Sequence, residues 1–372
     1  MTKPGVVRRM LDWRWNLMER RRLMRESKAQ AARFDRYYAR NYATEQGQVE
    51  TQVLFHVHQI EKGLTHRDFR AGFGQGALRG LATMMARLRA ADADHAGNTV
   101  YRMGLSALHE YVARHRAIGA DAVIETTKAL FDAAIWEEAL AFDQPLAGVI
   151  DITEAGTARA CAITENPAIA ELADAARSDN AESSGTAQAH GTARTPGDAT
   201  FADVVRNRHA VREYADRPVT RAEIMDAIEL AMRTPSVCNR QSARVRIVLN
   251  PSRIRTLLEA QGGYHGYATP PVLLLVSSDL RAFLNHTERN EPYVDGGLFA
   301  MSLLYALEYR GLAACPLNAM FDRAQDARVR ELSGLPDHEV PVMVIAVGHF
   351  AASTRVCASV RFPAERIVTV VE

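Results

Sequence analysis

Four cysteines in 372 residues, Cys161, Cys238, Cys315 and Cys357, sit far apart with no C-x-x-C pair. That spacing excludes a disulfide framework and a thiolate zinc site, and it suits a reducing compartment. Net charge is also scarce, because 45 Lys and Arg nearly cancel 44 Asp and Glu to leave +1. No global field therefore points to nucleic acid, and any charge argument must be local. No apolar run approaches the roughly 18 to 20 residues that span a bilayer, and the first residues lack the apolar core of a secretory signal. These absences lead to the expectation of a cytoplasmic protein. What is present is ample apolar material: 47% of residues are hydrophobic, enough for a large core in two domains.

The composition breaks at residues 177–200, RSDNAESSGTAQAHGTARTPGDAT, which contain no aliphatic side chain larger than alanine. Such a segment buries too little apolar area to offset its ordering entropy. It reads as a linker over 177–199, dividing a first domain, 1–176, from a second, 200–372. No internal repeat is evident, so two different folds are expected.

The first domain reads as helical throughout, with Leu, Met, Ala and Arg at three- and four-residue spacing, as in GALRGLATMMARLRAADA. Near its start, Val6, Met10, Trp13, Leu17 and Met24 fall on one helical face and most of the arginines fall elsewhere. This stripe on residues 5–26 is expected to pack on its own domain. Contact with an anionic membrane surface is the alternative.

The second domain alternates texture. Helices are expected at 221–234, 251–260, 292–310 and 324–332, and strands at VRIVLN, PVLLLVSS and PVMVIAVG. Strands apolar on both faces imply a sheet covered on both sides, an α/β or α+β sandwich. The tail ERIVTVVE has strand character and is expected to pair outside its own core, on a partner subunit.

Four pieces of this half carry chemistry. RNRHAVREY, residues 206–214, gathers three arginines and a histidine; on a helix, Arg208 and Arg212 would share a face, and guanidinium forks match a phosphate or carboxylate. TPSVCNRQ stops a helix at Pro235 and Ser236 and offers the amides of Asn239 and Gln241, able to read the edge of a planar heterocycle. In YRGLAACPLNAMFD, Gly311 is expected to cap a helix in the left-handed conformation, and CPLNA to form a tight turn near the sheet. ASVRFPAERIV returns Arg361 as a further anion partner.

In this order and spacing, the four pieces resemble the flavin-dependent nitroreductase family, over roughly residues 200–372. The matching positions are Arg208, His209, Ala210 and Arg212; Pro235, Ser236, Asn239 and Gln241; Gly311, Leu312 and Cys315; and Arg361, Pro363 and Glu365. The resemblance implies an α+β fold, an α/β sandwich with a central, mostly antiparallel sheet, preceded here by an all-α domain. It implies a homodimer with one FMN in each interface cleft and NADH or NADPH as reductant. Arg208, His209, Ala210 and Arg212 with Arg361 would hold the phosphate and ribityl chain. Pro235, Ser236, Asn239 and Gln241 would reach the flavin from the other subunit. Pro316, Leu317, Asn318 and Ala319 would lie against the isoalloxazine, with a backbone N–H near Asn318 donating to N5. No protein nucleophile is implied. The acceptor would be a nitro compound, quinone or activated alkene; a dedicated biosynthetic flavoenzyme acting on one metabolite and a non-catalytic flavin-binding scaffold are the alternatives.

The sequence departs from the family pattern at Ala210, where serine is common, at Ser242, where proline often follows the glutamine, and at Asn318 and Ala319, where glutamate or glycine is usual. His56, His58 and Glu61 lack the i, i+4 histidine pair of a zinc helix, so no metal is expected. Residues 66–76 read as a basic, glycine-rich loop. Tyr264, His265, Tyr267, His286 and Tyr293 are candidates for the substrate side.

Overall fold

A computed structural model of the chain describes residues 4–37, 39, 45–153 and 199–371. The expected linker therefore lies outside the described residues up to residue 198. Along the chain come helices α1 (Pro4–Tyr37), α2 (Gln46–Leu64), α3 (Gln75–Ala91), α4 (Thr99–Ala117), α5 (Asp121–Lys128) and α6 (Ala133–Ala141), then strand β1 (Val149–Thr153). Next are α7 (Phe201–Asn207), α8 (Arg221–Ala231), β2 (Ala243–Val248), α9 (Pro251–Gln261), β3 (Val272–Asp279) and α10 (Glu291–Tyr309). β4 (Leu312–Asn318), α11 (Arg323–Ser333), β5 (Glu339–His349) and β6 (Ser353–Cys357) complete the order.

These elements gather into two compact units that do not follow chain order. One comprises Met1–Tyr38 and Arg217–His349; the other comprises Ala39–Asp216 and Phe350–Glu372.

The first unit is built on a four-stranded sheet in the order β2-β3-β5-β4, with every neighbouring pair antiparallel. β3 is buried at all eight positions, as the apolar run Val272–Val276 predicts for its first five, and Ser277, Ser278 and Asp279 continue the burial. Leu274, Val276, Ile345 and Val347 form one core with Phe299, Leu303 and Leu307 of α10 and Ile224 of α8. α8 and α11 begin with capping boxes, Thr220 with Glu223 and Asp322 with Gln325, so each start is written locally. α10 ends as expected at Gly311, whose φ of 74° is the left-handed cap.

CPLN, expected to be a turn, is instead the end of strand β4, with Asn318 opposite Met343. Proline is compatible with this strand because β4 lies at the sheet edge, where a missing N–H costs no ladder bond on the open side. α1 also differs from expectation. It meets its unit through polar groups, Glu19 to His286 at 2.7 Å and Gln30 to Asn290 at 3.4 Å. Trp13 and Met24, expected to pack, stay 63% and 65% exposed.

The second unit is helical, as periodicity predicts. In α2, Val49, Val53, Val57, Ile60 and Leu64 repeat every three or four residues and are all buried against α3 and α4. Asn98 caps α4 by accepting from the N–H groups of Val100 and Tyr101 at 2.9 and 3.2 Å. Gly63 is required for packing, since a Cβ there would fall 1.8 Å from the Phe73 ring. A short strand that helical periodicity did not announce, β1, pairs antiparallel with β6, Val149 opposite Cys357 and Thr153 opposite Ser353. The tail beyond β6 is not a strand. It forms one 3₁₀ turn at Ala364–Arg366, anchored by Arg366 on Glu50 and over the Phe362 ring, and leaves Ile367 and Val371 82% and 90% exposed.

At the end of β3, Asp279 is 3% exposed and accepts from Arg281 N, Nε and Nη2 at 3.0, 2.9 and 2.8 Å, and from Arg244 at 3.3 Å. The Arg281 bonds hold its carboxyl down at about 2, against 3.8 for an ordinary aspartate. A depressed carboxylate contributes stability that is present above the unfolded-state value and is lost as pH falls through the folded-state value, here between about 4 and 2. Asp279→Asn is expected to cost on the order of 2 kcal/mol in urea unfolding at pH 6, with the deficit closing near pH 2. An equal deficit at both pH values would refute the assignment.

Candidate functional site

In the first unit, the expected ring-reading residues sit on the loop between α8 and β2. Within four positions, three non-glycine residues adopt the left-handed conformation: Cys238 at φ 47°, Asn239 at 54° and Gln241 at 49°. Such backbone costs on the order of 1 kcal/mol or more per residue and persists only where surroundings over-determine it. Here the surroundings can be named. Asp295 of α10, 4% exposed, accepts from Val237 N at 3.1 and 3.3 Å, and its Oδ2 lies 3.5 Å from Ser242 Oγ. Ser242 is fully buried and meets Ser278 of β3 at 2.9 Å. The hydroxyl at this position, where the family often has proline, thus joins the loop to the sheet.

Gln241 N donates to Ser236 Oγ at 2.9 Å. Arg240 forks onto both oxygens of Glu288 at 2.9 and 2.8 Å and donates to Ala282 O at 2.7 Å, holding Glu288 below the ordinary carboxylate range. The loop base is therefore fixed while Asn239 and Gln241 stay exposed at its tip. Pro235, Ser236 and Gln241 line a small cleft with Thr234, Asp295 and Phe299, offering about 30 Å³ of room for water-sized molecules.

Also in this unit, Pro316 and Leu317 lie in β4, followed by Asn318 and Ala319 at its end. Asn318 O accepts from Gln261 Nε2 at 3.0 Å, and its Oδ1 accepts from Met320 N at 3.2 Å, while the side chain remains exposed. Cys315 is fully buried in the strand, a packing residue. Of the substrate-side candidates, Tyr264 is buried beside Tyr267, with ring centroids 5.2 Å apart, and Tyr293 is 55% exposed. His286 is committed to Glu19 of α1.

The second unit holds the arginine set. α7 stops at Asn207 with Arg208 as its C-cap, so Arg208 and Arg212 do not share a helical face. The segment runs on without helix to Tyr214, which pairs with Phe350. Arg208, His209 and Ala210 are half-buried and Arg212 is buried. Arg212 Nη1 donates to Ala210 O at 3.4 Å and approaches Cys357 Sγ at 3.7 Å, linking this segment to β6, four residues before Arg361. Arg361 is exposed and donates to Ser359 O, where Ser359 is left-handed at φ 46°.

Sequence spacing could not reveal what α2 contributes. His58 Nδ1 lies 3.6 Å from Glu61 Oε2, and Cys357 completes a His, Glu and Cys cluster with ligand atoms within 4.8 Å of one another. Glu61 is 2% exposed and also accepts from Gly148 N at 3.0 Å. The Arg212 guanidinium lies 3.7 Å from the Cys357 sulfur of this cluster. His56 points elsewhere, over Gly80, where burial pushes its imidazole down. The basic loop after α2 meets the arginine segment directly, Arg67 N donating to Glu213 Oε1 at 3.0 Å.

Taken separately, the donor sets of the two units are of kinds that FMN takes: the guanidiniums and histidine of the second unit have the chemistry of a phosphate monoester site, and the exposed amides on the anchored loop of the first have that of a heterocycle edge.

The nitroreductase family model matches residues 205–261 and 258–349, so the C-terminal half of the chain carries a nitroreductase-family domain. The chain is 28% identical over 192 residues to the NADH dehydrogenase of Thermus thermophilus, covering 43% of this chain and 91% of that protein. It is 26% identical over 176 residues to the FMN reductase [NAD(P)H] of Bacillus subtilis, covering 43% and 69%, and 26% identical over 221 residues to the 4-nitrobenzoate reductase of a Nocardioides species, covering 45% and 89%.

Removing the Asp295 acceptor leaves the half-buried Val237 N–H without its partner, a cost of about 1 kcal/mol. Asp295→Ala is expected to lower the urea midpoint and speed proteolytic cleavage within 234–242; unchanged cleavage there would show that other contacts hold the loop.

Proposed function

We propose that the chain is an FMN-dependent oxidoreductase of nitroreductase type, in which NAD(P)H is the reductant and an electron-poor small molecule is the acceptor. The observation that carries this reading is the left-handed loop at Cys238–Gln241, held in place by Asp295. The relatives' names, an NADH dehydrogenase, an FMN reductase and a nitrobenzoate reductase, support the chemistry. When bound, FMN supplies the two-electron transfer.

The chain's own residues bind and orient. Arg208, His209 and Arg212, with Arg361, hold the phosphate and ribityl chain, and the backbone N–H of Ala210 stands in for the missing serine hydroxyl. Pro235, Ser236, Asn239 and Gln241 come to the same cofactor from the second copy of a homodimer. Pro316, Leu317 and Ala319 pack against the ring, and the backbone near Asn318 directs an N–H toward N5. The flavin-binding region spans 200–372, the helical region 1–176 precedes it, and 177–199 links them. Nitro compounds, quinones and activated alkenes are the acceptor classes proposed.

The full-length protein is expected to purify with or take up FMN, to bleach with NADH or NADPH, and to reoxidise with a nitroaromatic. Bleaching without turnover of generic acceptors would point instead to a single dedicated metabolite. A protein that neither carries nor takes up FMN would refute the proposal. Arg208→Ala and Arg361→Ala each remove a charge-assisted contact worth about 1.5 to 3 kcal/mol, so FMN titration is expected to show roughly 10- to 100-fold weaker binding. Unchanged affinity in both would reject the phosphate assignment.

A further inference from the structure

α1 turns its polar side to its own unit and its apolar stripe to solvent. Glu19 bonds His286 and Gln30 bonds Arg289 and Asn290, while Trp13 and Met24 stay 63% and 65% exposed and Leu17 half-exposed. At 3.6 residues per turn, Trp13, Leu17 and Met24 stand within about 40° of one another around the helix. The stripe is bordered by arginines on both sides, Arg9 and Arg20 on one, Arg14 and Arg21 on the other, all exposed. The acids Asp12, Glu19 and Glu26 lie toward the opposite side, where Glu19 meets His286. Across its length α1 carries nine arginines and one lysine against four acids, a surplus of six in a chain whose total is +1.

From this arrangement we propose that α1 docks on an anionic lipid surface, its Trp13–Leu17–Met24 stripe in the headgroup boundary and its bordering arginines on lipid phosphates and carboxylates. Trp15 and Met18, also exposed, stand outside this stripe and add further apolar surface to α1; low net hydrophobicity, exposed tryptophan and neighbouring basic residues are the make-up of interfacial helices. The charge pattern chooses the occupant. A second copy of α1 laid along the stripe would set arginine rim against arginine rim, which is repulsive, whereas an anionic bilayer complements both rims at once. No helix of the described residues is long and apolar enough to cross a membrane, so the contact is peripheral. The proposal does not depend on the flavin chemistry.

The test is co-sedimentation of the full-length protein with vesicles of phosphatidylcholine alone and of phosphatidylcholine with phosphatidylserine. Binding is expected only to the anionic vesicles, with a blue shift of tryptophan emission, and is expected to weaken as salt is raised. Each arginine near an anionic surface contributes roughly a fivefold gain in partitioning, so Arg14→Glu with Arg21→Glu is expected to lose at least about twentyfold. Arg14→Lys with Arg21→Lys is expected to retain binding, and Trp13→Ser with Met24→Ser to lose it; circular dichroism confirms that each variant stays folded. Failure of the unaltered protein to bind anionic vesicles would overturn the proposal, as would undiminished binding by the Arg→Glu and Trp/Met→Ser variants. An oligomer that dissociates on the Trp13→Ser, Met24→Ser substitution, without vesicle binding, would assign the stripe to a second copy and equally overturn it. Capture by polyglutamate but not by vesicles would do the same in favour of an acidic protein.

Discussion

The Asp295 carboxylate is the constraint on which the candidate site depends. It comes from α10, whose other side builds the sheet core, and it accepts the N–H at the start of a turn the backbone would otherwise avoid. Ser242 and Ser278 extend that connection into β3, and Arg240 with Glu288 pins the far side. The loop is thus held by helix, sheet and ion pair together, and only its tip faces outward. A rigid scaffold presenting a strained, exposed tip is the usual way a fold spends stability on recognition.

The arginine set is organised by a different device. The chain returns through β6 to pair with β1, and in doing so brings Cys357 against Arg212 and carries Arg361 back into the unit that holds Arg208. Glu61 and His58 of α2 share this neighbourhood, so a helix from the first half of the chain helps set the charge around a guanidinium from the second. Arg67 N bonding Glu213 adds a backbone tie between the same two stretches.

Much of the fold was legible in the sequence because it is written locally. β3 and β5 announce themselves as apolar runs, α8 and α11 as helix-period stretches, and the α10 stop as Gly311. The misreadings have a shared cause, which is long-range context. Whether CPLN is a turn or a strand depends on β5 lying alongside it. Whether Arg208 continues a helix depends on Tyr214 reaching Phe350. The stripe on α1 was expected to pack although its polar side makes the contact. Cys357 beside His58 and Glu61 was invisible for the same reason, nearly 300 positions separating partners. The candidate site residues were nameable from motif order, but the φ values that mark the loop as strained were not.

Pro316 has a further effect through its place on β4. With no N–H to offer, it interrupts the row of donors on that border of the sheet. The opposite border, β2, carries Arg244 and Arg246, the latter reaching Ser277 and Glu339 across β3. Proline at one margin and paired cations at the other give a stray strand little to template on at either border of the four-stranded sheet seen among the described residues.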